Sequence, residues 1–303
     1  MATQILVPLD GSSLAEQALS CAMTLARGLG GELVLLRAIW IPPDVVNIQD
    51  EFTVELNAIA EELEAEASEY LGSLVEQLRD ASLKARPVVR RGPAAEAILD
   101  HAEQASINQV VMATHGYSGI KRWTHGSVAE RVLQAARVPL LLVRVGEQDL
   151  TRDWHQPMGC RRILVPLDGS PLAEQILPPV TTMAQALRAE LILFHVPVAH
   201  VSGWMTDEWY FPMQGVIDTA EQEAQVYLST VAGRLQEQGL DVATATAMGP
   251  VASCIVEYAE AKQVDLIAMC THGRTGLTRW ALGSVADRVL RAGGTPILLV
   301  RIQ

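Results

Sequence analysis

Five apolar stretches, each too short for a helix, alternate with amphipathic segments through the first half of the chain, and the rhythm returns in the second half. Ile5-Leu6-Val7-Pro8-Leu9 is bounded by Asp10-Gly11-Ser12, which predicts a buried strand ending in a turn. Ser12 or Ser13 can cap a following helix over 14–27, where Leu14, Ala18, Leu19, Ala22 and Leu25 make an apolar face. Gly28, Gly30 and Gly31 end it, because glycine tolerates the left-handed turn of a helix C-terminus. Leu33–Ile39 is a second apolar strand, followed by a loop holding Pro42 and Pro43. An acidic amphipathic helix then spans roughly 51–82, with Leu56, Ile59, Leu63, Leu71, Leu74 and Leu78 as its buried side. Strands at Lys84–Arg90, Val110–Thr114 and Pro139–Val145 alternate with helices at 94–104 and Ser127–Ala136. The second half repeats the order, with strands near 162–167, 190–198, 241–248, 264–271 and 296–302 and helices near 172–187, 214–238, 251–262 and 284–292. Continuous apolar strands separated by amphipathic helices predict an α/β fold, a parallel sheet covered on both faces.

The recurrence reaches the level of words. ILVPLDGSSLAEQ (5–17) returns as ILVPLDGSPLAEQ (163–175), changed only at Ser13 against Pro171. MATHGYSGIKRWTHGSVAERVL (112–133) returns as MCTHGRTGLTRWALGSVADRVL (269–290). A repeat this long implies two complete domains, which a chain of 303 residues accommodates. They are expected at 1–146 and 161–303, joined by the polar segment 147–160, EQDLTRDWHQPMGC.

Composition narrows the partners. A net charge of −12 argues against a broad contact with a nucleic-acid backbone, while leaving room for a small nucleotide that needs only local donors. No apolar run reaches the ~18–20 residues of a membrane span. The segment MATQILVPLD lacks the charged start of a signal peptide, so a cytoplasmic location is expected. Cys21, Cys160, Cys254 and Cys270 form no CxxC and read as thiols in a reducing compartment.

The candidate chemistry sits in the second repeated word. Gly116 and Gly126 flank nine residues and Ser127 follows; Gly273 and Gly283 flank nine and Ser284 follows. In both, a strand leads in and a helix leaves at the Gly-Ser pair, where the first amides lack intrahelical acceptors and carry the positive end of the dipole. Glycine keeps Cβ atoms away from an anion, and serine adds a hydroxyl, which suits a phosphate. Asp10 and Asp168 end the first strand of each unit, at the strand end where open α/β sheets bind ligands. Each carboxylate could accept from ribose hydroxyls or could cap its own Asp-Gly-Ser turn; taken alone, the cap is favoured.

ILVPLDGS, THG-x9-GS and the closing PLLLVR or PILLVR resemble the universal stress protein family, and the resemblance covers both halves, as in a tandem member. It implies two Rossmann-like (adenine nucleotide alpha hydrolase-like) domains, each a five-stranded parallel sheet in the order 3-2-1-4-5. ATP-binding members carry G-x2-G-x9-G-[ST], with the ribose held by the first-strand Asp and the first Gly, and the phosphates by the later glycines, the Ser and the next amide. The matching positions are Asp10, Gly116, Gly126, Ser127 and Val128, then Asp168, Gly273, Gly283, Ser284 and Val285. Adenine is met by backbone at the end of the second strand, here Ala38 and Val196. The pattern's first Gly is replaced by Ala113 and Cys270, a change that a backbone contact survives unless φ is positive there. The resemblance also implies a stress-response role, ATP, ADP or AMP as ligand with Mg²⁺ carried on phosphate oxygens, pairing of the two units through their last strands as a pseudo-dimer, and homodimerisation.

Other residues have plainer readings. His115 and His272 could meet a phosphate or hold the loop, with holding favoured, and no second His or Cys gives zinc-like spacing. Arg122 and Arg279 could neutralise phosphate but read by default as solvated, and Trp123 and Trp280 read as loop anchors or interface fillers ahead of base stacking. The aromatic stretch 200–214 is either a lid or a protein contact, with the contact favoured. No catalytic triad, GxxxxGK[ST] or metal-ligand set emerges. Two alternatives stay open: a scaffold that binds no nucleotide, and a slow ATPase.

Overall fold

Residues 3–40, 52–114, 127–145, 153–197, 210–271 and 282–301 are described by the computed structural model. The chain divides into two compact units, Met1–Gly159 and Cys160–Gln303.

In the first unit, β1 (Gln4–Pro8), β2 (Glu32–Ile39), β3 (Lys84–Arg91), β4 (Gln109–Ala113) and β5 (Leu140–Val143) form a parallel sheet. β1 pairs with β2 and β4, β2 with β3, and β4 with β5. The order is therefore 3-2-1-4-5, and the chain reverses direction across the sheet between β1 and β4. The helices are α1 (Ser13–Glu16), α2 (Ala18–Leu29), α3 (Phe52–Asp80), α4 (Ala94–Gln104) and α5 (Ser127–Ala135). Ile5, Leu6, Val7, Leu33, Val34, Leu35, Val111 and Leu141 are sealed from water, as strands covered on both faces must be.

The second unit repeats this with β6 (Arg162–Pro166), β7 (Glu190–His195), β8 (Val242–Thr246), β9 (Leu266–Cys270) and β10 (Ile297–Val300). β6 pairs with β7 and β9, β7 with β8, and β9 with β10, all parallel. Its helices are α6 (Leu177–Leu187), α7 (Tyr210–Gln236), α8 (Val251–Ala261) and α9 (Ser284–Ala292). No helix among the described residues is long and apolar enough to cross a membrane.

Three details depart from the sequence reading. The helix expected over 172–187 opens as a 3-10 turn, Ala173–Ile176, before α6 begins. Pro178 and Pro179 lack the amides that would bond back to Glu174 and Gln175, so the first turn cannot run on as α-helix. On α3, Leu71, Leu74 and Leu78 are buried as expected, but Ile59 is 48% exposed, and Ala60, Ala67 and Val75 complete the buried stripe. The two alanines, lacking bulk, let the helix lie close on β2 and β3. α7 begins at Tyr210, four residues ahead of the expected 214.

Residues 153–159, polar in sequence, form a strap on the first unit. Trp154 is buried to 7% exposure and stacks on His155, whose ring meets Gln77 Oε1 on α3 at 2.8 Å. Met158 donates its amide to the Ser20 carbonyl and accepts from Thr24 Oγ1 at 2.6 Å, so α2 holds the strap by its backbone. Cys21 Sγ lies 3.4 Å from Met158 Sδ. None of the four cysteines is in a disulfide.

Candidate functional site

The parallel register brings the predicted residues to one edge. Pro8 pairs with Leu36 and Leu6 with Val110; continued past the strand ends, this sets Asp10 level with Ala38 and Thr114. In the second unit Pro166 pairs with Phe194 and Leu164 with Ile267, which sets Asp168 level with Val196 and Thr271. Both triplets lie at the carboxyl ends of the strands, across the point where strand order reverses. That crevice is where open α/β sheets take ligands, because helix N-termini and loop amides converge there.

Each aspartate builds its turn. Asp10 Oδ1 accepts from Ser12 N (3.0 Å) and Oγ (2.6 Å), and Ser12 Oγ accepts from Ala15 N (3.2 Å). Asp168 Oδ1 accepts from Ser170 N (2.9 Å) and Oγ (2.6 Å), and Ser170 Oγ accepts from Ala173 N (3.1 Å). Gly11 and Gly169 have φ of +88° and +80°, which a side chain would strain. In both units the turn's two bonds are accepted at the same oxygen, Oδ1. The second turn is more deeply set: Ser170 is buried, whereas Ser12 is half-buried.

At the far side of the crevice, Thr114 and Thr271 are buried, and their amides bond to the carbonyls of Val143 and Val300 at 3.0 and 2.9 Å. Thr271 O accepts from Gly283 N at 2.8 Å, which closes the base of the second loop. The first intrahelical bond of α9 runs from Asp287 N to Gly283 O, at 2.9 Å. The amides of Ser284, Val285 and Ala286 precede it and point out of the helix start. Gly283's own N–H is spent on Thr271, so an anion at this helix would be met from Ser284 onward. In the first unit Ser127 and Val128 begin α5 with the same burial sequence as Ser284 and Val285, exposed then half-buried. Gly116, Gly126 and Gly273 lie outside the described residues, as do His115, His272, Arg122, Arg279, Trp123 and Trp280; so does 200–209 of the aromatic stretch.

Ala113 and Cys270 occupy the last positions of β4 and β9, and neither is among the residues with positive φ. Their Cβ atoms therefore cost no backbone strain. The Cys270 thiol donates to the Ala173 carbonyl at 3.6 Å, on the 3-10 turn. Burial pushes it up to about 12, with the Asp168 charge adding to the rise, so it stays a thiol at neutral pH.

A second pair of duplicated residues completes the surroundings and was not singled out in the sequence. Tyr70 on α3 donates to Glu16 Oε1 at 2.8 Å; Tyr227 on α7 donates to Glu174 Oε1 at 3.0 Å. Both phenols are raised well above the usual value, chiefly by burial, then by their glutamates, with Asp10 or Asp168 adding to the rise. The signal was present: LAEQ is identical in both repeats, and each tyrosine follows its glutamate by 54 or 53 residues. Among the described residues, no three His, Cys, Asp or Glu side chains gather as a metal site.

The model of the universal stress protein family matches residues 1–144 and again 159–301. A universal stress protein of Methanocaldococcus jannaschii is 33% identical over 145 residues, covering 46% of this chain and 82% of its own length. One of Synechocystis is 22% identical over 98% of this chain and 99% of its own. The crystal structure of a universal stress protein from Archaeoglobus fulgidus superposes with a TM-score of 0.65 at 20% identity, covering 98% of this chain and 96% of that one, which establishes the shared fold.

Proposed function

The chain belongs to the universal stress protein family, and we propose that it is an adenine-nucleotide-binding regulatory protein of the stress response, with one site in each unit. The observation that carries the reading is an Asp-Gly-Ser turn repeated at a strand-order reversal, joined in the second unit by a Gly-Ser helix start whose Gly283 N–H bonds to Thr271 O.

In this reading Asp10 and Asp168 accept from ribose hydroxyls, while Ser12 and Ser170 keep each carboxylate turned into the crevice by donating to Oδ1. The backbone of Ala38 and Val196 meets the adenine edge. The amides and hydroxyls of Ser127 and Ser284, with the amides of Val128 and Val285, take phosphate oxygens, and Gly116, Gly126, Gly273 and Gly283 keep side chains out of the way. The ordinary φ of Ala113 and Cys270 and the inward packing of the Cys270 thiol support retention of both sites. Mg²⁺, bound through phosphate oxygens and water, would offset the charge of ATP. Occupancy would bias the unit toward one shape, which is how nucleotide binding would be reported to a partner.

The test is to denature the purified protein and identify any released nucleotide by chromatography, followed by equilibrium dialysis with ATP, ADP, AMP and cyclic AMP. Binding by at least one unit, lost on Gly126→Val or Gly283→Val, is the expected result. Absence of binding in both units refutes the proposal and favours a scaffold. A rise in melting temperature with MgATP is the corroborating readout, because a ligand selective for the native state stabilises it.

A further inference from the structure

The two crevices differ at one register position among the described residues. Arg37 and His195 are each the residue after the partner of the first-strand proline, since Pro8 pairs with Leu36 and Pro166 with Phe194. Arg37 lies directly against the Asp-Gly-Ser turn: its Cζ, Nη1 and Nη2 are each 3.6 Å from where a Cβ on Gly11 would stand. Its guanidinium also sits over the Tyr70 ring, 5.3 Å from the centroid. Its ion-pair partner, Glu66 at 3.2 Å, is 64% exposed against 17% for Arg37 itself. Water therefore screens the carboxylate more than the cation, and the guanidinium keeps a positive field toward the turn.

His195 keeps the place and loses the permanent charge. It is 8% exposed, its Nδ1 meets the Leu167 carbonyl at 2.7 Å, and its ring meets Tyr227 edge-on at 6.0 Å. The cation of the second unit has moved outward: Arg234 on α7 pairs with Glu174 Oε2 at 2.8 Å and is 56% exposed. There it neutralises Glu174, whose other oxygen accepts from Tyr227.

We propose that this position sets the charge preference of the two sites: Arg37 tunes the first unit toward the more highly phosphorylated adenine ligand, and His195 leaves the second unit less discriminating between ATP and AMP. This rests on the nucleotide-binding reading above. Arg37 acts through the field at the turn, so it is a specificity determinant and not a catalytic residue.

The experiment measures ATP and AMP affinities by titration calorimetry at low salt and without Mg²⁺, so that the two added charges of ATP are uncompensated, one unit at a time. Gly283→Val reports the first unit and Gly126→Val the second. The first unit should show an ATP-over-AMP ratio roughly tenfold larger than the second, the order expected when two added charges each gain a partly screened Coulomb interaction. Arg37→Gln should remove that excess, Arg37→Lys should keep most of it, and added salt should shrink it. His195→Arg should raise the ratio of the second unit, which decides the matter even if Arg37→Gln folds poorly. Nucleotide bound by both units with equal ratios, or a second-unit ratio unmoved by His195→Arg, overturns this inference and leaves the parent reading intact. No nucleotide bound by either unit removes the parent reading instead.

Discussion

Replacing the turn serine tests the coupling between fold and site in both repeats at once. Ser170→Ala removes two interactions: the cap on Ala173 N at 3.1 Å and the hydroxyl bond to Asp168 Oδ1 at 2.6 Å. Loss of a helix cap costs about 1 kcal/mol. A hydrogen bond to a charged group contributes about 1.5–3 kcal/mol, less what water returns to the bared carboxylate. Since Ser170 is buried, little water can reach it, and the sum should fall near 2–3 kcal/mol, roughly. Ser12→Ala removes the same two bonds from a half-buried residue and an exposed aspartate, where solvent substitutes more readily; about 1 kcal/mol is expected. Hydrogen exchange resolved by segment, with β1 amides reporting one unit and β6 amides the other, gives both values from the full chain. Both variants should also weaken nucleotide binding in their own unit, because the aspartate loses the donor that orients it. Equal losses in the two units, or losses below about 0.5 kcal/mol in both, would refute the reasoning that burial makes the second turn the more dependent on its serine.

Two further outcomes follow from the same geometry. Trp154→Ala should destabilise the first unit by about 3–5 kcal/mol in chemical denaturation while leaving the second unchanged, as a tryptophan buried to 7% exposure requires; a change under about 1 kcal/mol would mean that the strap is not part of that core. Stability should fall as the solution turns alkaline, because the folded chain holds protons on Cys270, Tyr70 and Tyr227 that the unfolded chain releases near their ordinary values. From Cys270 alone, the loss amounts to up to about 1.4 kcal/mol for each pH unit above the ordinary thiol value of 9.0, ending near 12. Urea midpoints that stay flat from about pH 8 to about pH 10.5 would contradict that linkage, and Cys270→Ala should remove the earliest part of the decline.

Periodicity and repetition made the fold class and family legible without coordinates. Short apolar runs such as Ile5–Leu9, set between amphipathic segments, leave few arrangements that bury both faces of a strand, and the duplicated words marked two such units. The Asp-Gly-Ser turn was equally legible, since its bonds reach only two or three residues along the chain. Long-range contacts were not. Tyr70 finds Glu16 across 54 residues, and Arg37 reaches the Gly11 turn only because β2 lies beside β1 in register. The buried stripe of α3 shifted from Ile59 to Ala60 and Ala67 because closeness to β2 and β3 outweighs hydrophobicity at a helix–sheet contact. The strap at 153–159 reads as polar linker until Trp154 is seen beneath the surface. Local chemistry settles turns, strands and the placement of Asp10 and Asp168 at strand ends. Only the packed sheet decides which side chain meets the chain at each first-strand end, arginine against Gly11 in one unit and histidine against the Leu167 carbonyl in the other, because that depends on register between segments distant in sequence.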